Sequence, residues 1–148
     1  MRLLLQRVSR AEVRIEGRVV GAIGEGLLVL VGVGREDDAA LARRTADRCV
    51  DLRIFGDQAG KTNRSLVEIG GEVLAVSQFT LFADTRKGRR PSFLAAAPPE
   101  LGASLYEVFV QAVDARCVGV ARGVFGAEME VELVNDGPLT IWLDSAER

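Results

Sequence analysis

Ser77, Gln78, Phe79 and Thr80 close an apolar run with two hydroxyls and an amide, the groups in this chain best suited to meet a polar substrate. A hydroxyl attacks an ester only when a base takes its proton, and the chain contains no histidine to serve as one. Ser-His-Asp and Cys-His sites are thereby excluded, together with the commonest metal ligand. Thr80 keeps three readings: a nucleophile activated by a lysine or carboxylate, a pocket residue offering its hydroxyl or backbone, or a β-branched strand residue. Ser77 and Gln78 read as groups that hold a ligand or a water, or as ordinary polar strand positions. Phe79 reads as core or as a stacking surface.

A second polar group, Arg86, Lys87, Arg89 and Arg90, surrounds Gly88 just before Pro91, which forbids a regular helix there. The stretch is an exposed basic loop, suited to phosphate contact or simply solvated. A net charge of −2 argues against broad electrostatic coating of nucleic acid. Cys49 and Cys117 form no CxxC pair, so they read as packing residues, and neither metal nor cofactor is expected. Gly32-Val33-Gly34 lacks the third glycine of a dinucleotide fingerprint because position 37 is Asp. Gly60-Lys61-Thr62 likewise lacks the first glycine of a P-loop because position 55 is Phe. Both are read as turns. No apolar run approaches the ~18 residues of a membrane span. Met1 to Gln6 turns polar too early for a signal peptide, so a soluble cytoplasmic chain without membrane contact is expected.

The elements that must position these groups follow from periodicity. Leu3 to Ile15, Val19 to Ile23 and Leu27 to Val33 read as strands split by Glu16-Gly17 and Gly24-Glu25-Gly26. Alternation of Ala11, Val13 and Ile15 with charged residues predicts a half-exposed strand, whereas Leu27 to Val31 predicts a fully buried one. Asp37-Asp38 opens an amphipathic helix with Leu41, Thr45, Cys49 and Leu52 on one face. A strand at Arg53 to Phe55, a strand pair around Gly70-Gly71 and a strand running from Val73 to Leu81 are expected next. Pro98-Pro99 starts a second helix with Leu101, Leu105, Val108, Phe109, Ala112 and Val113 inward. Strands near Val118 to Arg122, Met129 to Val134 and Leu139 to Leu143 complete the order. Runs of strands with two main helices predict an α+β chain, one domain over 1–148, its sheet curved toward a barrel.

Three strings in order, Ser77-Gln78-Phe79-Thr80-Leu81, Lys87 to Phe93 (KGRRPSF) and Asn135 to Thr140 (NDGPLT), closely resemble the D-aminoacyl-tRNA deacylases, the D-tyrosyl-tRNA deacylase family. The likeness extends through Gln6-Arg7-Val8, Leu52 to Phe55, Gly60 to Ser65 and Phe125 to Met129, covering essentially the whole chain. Thr62 and Arg89 stand where the family pattern usually has methionine. The resemblance implies hydrolysis of the ester between a D-amino acid and tRNA, and of glycine mischarged on tRNA-Ala, with L-aminoacyl-tRNA rejected. It places Ser77 to Thr80 along one side of a catalytic pocket and Phe125 and Met129 beside the amino acid, where simple core packing is the rival reading.

Composition alone reads Asn135-Asp136-Gly137-Pro138 as a hairpin turn, and an X-Pro bond is cis in only about 5–6% of cases. The resemblance instead implies a cis Gly137-Pro138 inserted into the partner's pocket as a chiral filter, which makes a homodimer with active sites at the subunit interface an expectation. Arg7 would hold that segment, or be a surface arginine. Arg86, Lys87, Arg89 and Arg90 would grip the acceptor stem and orient the aminoacyl-tRNA 3′ end. Two other readings remain open from the residues: a serine or threonine esterase for small activated esters, and a non-catalytic RNA-binding dimer.

Overall fold

The computed structural model describes residues 1–117 and 119–146. Its longest strands run side by side: β1 (Arg2–Ile15) pairs antiparallel with β8 (Glu130–Asp144) along one edge. The other edge of β1 is shared, its first half by β3 (Gly26–Gly32) and its second by β2 (Arg18–Ile23). Beyond β3 lie β6 (Glu72–Ser77) and β7 (Val120–Arg122), both in parallel pairing. A Cβ on Gly21 of β2 would come 2.8 Å from the Arg122 carbonyl of β7, so the sheet curls until its two ends nearly meet. This is the curved, barrel-like α+β architecture expected from the strand order.

Alternation along the central strands explains why both sheet faces are buried. Leu27, Val29 and Val31 of β3, with Val73 and Ala75 of β6, pack against α1 (Ala39–Asp51) and α3 (Pro99–Asp114). Leu28, Leu74 and Val76 point the other way, into a second apolar cluster with Val8, Ala11, Val13 and Ile23. The helices start as their sequences suggest. Asp38 caps α1 by accepting the Leu41 N–H at 2.7 Å, and Pro99 occupies the first turn of α3.

Four expectations are corrected. The strand placed at Arg53 to Phe55 is a short ribbon of β4 (Phe55–Gly56) with β5 (Thr62–Arg64), shifted because Ile54 N–H turns back to the Leu52 carbonyl. Gly70-Gly71 does not join a strand pair. Ser65 and Glu68 form a capping box that starts the single-turn helix α2 (Leu66–Ile69), and Gly70 ends it at φ 65°. The run from Val73 stops at Ser77, and Phe79–Phe82 forms a 3₁₀ turn, so Thr80 is not a strand residue. Finally, Asn135 to Leu139 is no hairpin. β8 continues along β1 on both sides of it, Val8 facing Asn135 and Gln6 facing Thr140, so residues 136–139 bulge outward opposite Arg7 alone. Of the strand expected near Val118 to Arg122, Val118 lies outside the described residues, as do positions 147 and 148 of the expected domain.

Candidate active site

The parallel strands β3 and β6 end side by side, and a cavity of about 1010 Å³ opens beyond their ends. Val31 and Val76 form its floor with Val131 of β8, while Ser77, Gln78 and Phe79 form one rim. Tyr106 and Gly102 of α3 supply a wall, and Phe125 and Met129 stand on the loop after β7. Five residues singled out in the sequence, Ser77, Gln78, Phe79, Phe125 and Met129, are thus brought together around one apolar opening.

The rim is a helical start without a cap. Gln78 N–H donates to the Val31 carbonyl at 2.7 Å, extending the β3 pairing by one residue before the chain turns. No side chain caps the 3₁₀ turn, and among the described residues the N–H groups of Phe79 and Thr80 have no acceptor. Free N–H groups at the start of a helical turn favour developing negative charge. Gln78 Nε2 donates to the Thr80 hydroxyl at 2.5 Å, which leaves the hydroxyl proton available to another acceptor. Phe79, 57% exposed, meets Phe93 edge to face with centroids 5.1 Å apart, so it is a surface aromatic and not core.

Tyr106 was not singled out from the sequence. Its hydroxyl donates to the Ala75 carbonyl at 2.9 Å, and burial pushes its pKa up to about 12, so it is a neutral anchor of the wall. Its ring lies 6.2 Å from that of Phe125, and a Cβ on Gly102 would come 3.3 Å from the same Phe125 ring. The one available signal was a lone tyrosine within an apolar helix face. Burial also raises the Cys117 thiol to about 11, and the Cys49 thiol, fully buried, lies higher still, as suits packing cysteines.

Gly137-Pro138, a cis peptide, does not line the cavity of its own chain, nor does Arg7. Arg7 lies under the bulge: Nη1 donates to the Ile54 carbonyl at 2.6 Å, and Nε sits 2.9 Å from Asp136 Oδ2, an ion contact without hydrogen-bond alignment. A Cβ on Gly137 would come 3.1 Å from Arg7 Nη2 and 3.0 Å from the Leu139 nitrogen, a space only glycine fills at its φ of 122°. Arg86, Lys87, Arg89 and Arg90 are exposed and outside the cavity lining, on a loop closed by paired Asp84 and Ser92 backbones. Arg86 is tied to Asp84, whose carboxyl it holds well below the usual range. Thr80, Thr62 and Arg89 do not line the cavity either.

The sequence profile of the family described as D-Tyr-tRNA(Tyr) deacylase matches residues 4–144. The chain is 58% identical over 147 residues to a D-aminoacyl-tRNA deacylase of Thermomicrobium roseum, covering 99% of this chain and 96% of that one. A protein of the same name from Paracoccus denitrificans is 57% identical over 148 residues, covering 100% and 99%. The solved c-Myc DNA unwinding element binding protein superposes with a TM-score of 0.92 at 37% identity, over 97% and 98% of the two chains. A probable eukaryotic D-amino acid tRNA deacylase shares the fold with a TM-score of 0.85 at 18% identity, over 96% and 97%. On these matches, the chain belongs to the D-Tyr-tRNA(Tyr) deacylase family.

Proposed function

We propose that the cavity takes the aminoacyl-adenosine end of charged tRNA and becomes chirally selective only when a second copy of the chain supplies Gly137-Pro138. The family activity, hydrolysis of the ester between a D-amino acid and tRNA, is the activity of this chain. The observation that carries the finer reading is the pairing of an open cavity with an exposed bulge that lies outside it. Supporting it, the outer edge of the 15-residue strand β8 is unpaired among the described residues, with Val134 41% and Trp142 45% exposed along it. Long exposed edges of this kind are normally covered, and a two-fold copy covers one while delivering the bulge across the interface.

In the resulting site the ester carbonyl points at the free N–H of Phe79 on the rim, with the free Thr80 N–H one residue beyond the lining. Water attacks the carbonyl carbon, a new C–O bond forms, the ester bond to ribose breaks, and the ribose oxygen leaves with a proton. The neighbouring ribose hydroxyl can carry that proton, so a chain without histidine suffices for an ester already activated. A D side chain projects to the open side of the cavity, whereas an L side chain meets the partner's backbone. Rejecting it by roughly 10⁴-fold takes about 5.5 kcal/mol, within reach of a steric clash and beyond one added contact. Glycine carries nothing to reject, so glycine mischarged on tRNA-Ala is a second substrate.

Dilution tests the shared site. Hydrolysis of D-tyrosyl-tRNA per mole of chain, followed while sedimentation records the dimer fraction, should fall in step with dissociation. A monomer that keeps full specific activity and still spares the L ester would show that each chain holds a complete site.

A further inference from the structure

Among the described residues the cavity lining holds one charged residue, Arg35, and the family motifs do not include it. Every other lining residue is apolar, or neutral and polar. Its backbone is pinned: Arg35 N–H donates to the Ala95 carbonyl at 3.3 Å, and Ala97 N–H to the Val33 carbonyl at 2.9 Å. Gly34 between them is fixed by Asp37 Oδ2, which accepts its N–H at 2.6 Å, and the other oxygen of that carboxylate takes the Met1 amine at 2.6 Å. Asp37 is therefore already engaged, and among the described residues the exposed Arg35 guanidinium has no hydrogen-bond or ion-pair partner. Phe93 and Leu94 line the cavity on the segment that follows the basic loop.

An unpaired, always-ionised guanidinium at the mouth of an apolar cavity selects for an anion. The substrate offers two kinds of charge at its end. The α-ammonium of the esterified amino acid is cationic and is repelled by Arg35, whereas the phosphodiester on the 5′ side of the terminal adenosine is anionic and attracted. We infer that Arg35 binds the phosphodiester joining the last two nucleotides of the tRNA, fixing which end of the aminoacyl-adenosine enters first. Arg35 is thus a positioning residue, distinct from the loop cations at 86–90. The inference rests on the cavity being the aminoacyl-adenosine site.

Two D-tyrosyl esters separate these claims, one on full tRNA and one on adenosine alone, which lacks the phosphodiester. Arg35→Ala should raise KM on the tRNA ester roughly tenfold with kcat within twofold, the loss of one charge-assisted contact. The same variant should make the adenosine ester no slower, since that ester has no phosphodiester to lose and keeps only the repelled α-ammonium, and Arg35→Lys should recover most of the loss on tRNA. The dependence of log(kcat/KM) on log salt should flatten by about 0.7, the value for one phosphate on a single strand. An equal loss on both esters, or an unchanged KM on tRNA, overturns the role of Arg35. Ala127→Trp, which narrows the same cavity, should impair both esters. Full activity of that variant on both would overturn the cavity reading and the inference with it.

Discussion

The Thr80 hydroxyl accepts from Gln78 Nε2 and makes no hydrogen bond to a lysine or carboxylate among the described residues. A nucleophile in that position would have nothing to take its proton, so on the proposed mechanism Thr80 would contribute a donated hydrogen bond and the free backbone N–H beside it. Thr80→Ala retains that N–H and loses one hydrogen bond. Single-turnover hydrolysis of D-tyrosyl-tRNA should slow by roughly tenfold. Complete loss of activity in a folded Thr80→Ala protein would restore the nucleophile reading. Arg7 shows how much one side chain can organise: it touches the Ile54 carbonyl, Asp136 and the space above Gly137 at once.

At the scale of elements, the site depends on the seam between β3 and β6, whose ends carry its floor and rim. A Cβ on Gly26 would lie 1.9 Å from the Glu72 carbonyl, so Gly26→Ala must push the two strands apart at their start. Denaturant unfolding should show a loss of about 3 kcal/mol or more. A loss below 0.5 kcal/mol would mean that the seam is not tightly closed. The strands β1 and β3 and the helices α1 and α3 were legible in the sequence because a full face of each is apolar at its own period. The 3₁₀ turn was not, since Phe79-Thr80-Leu81-Phe82 has strand-forming composition and turns only because β6 ends there. The β8 bulge carries turn residues, yet nothing local says that the chain resumes its course along the same partner. Arg35, Tyr106 and Gly102 reach the cavity only through tertiary crossing, and no spacing in the sequence announces it.

At the scale of the whole molecule, one sheet does two tasks. Its curved inner cluster and its helix-covered face frame the cavity, and β8 along the outer edge of β1 presents the bulge, which lies outside the cavity lining of the same chain. The described helices include none long and apolar enough to cross a membrane. On the proposed reading a backbone wall, completed by a second chain, sorts esters by the handedness of the amino acid. The most direct measurement is the rate at which the purified protein hydrolyses matched D-tyrosyl-, L-tyrosyl- and glycyl-tRNA. The expected result is rapid loss of the D and glycyl esters with the L ester spared by orders of magnitude. Equal loss of the D and L esters would contradict it.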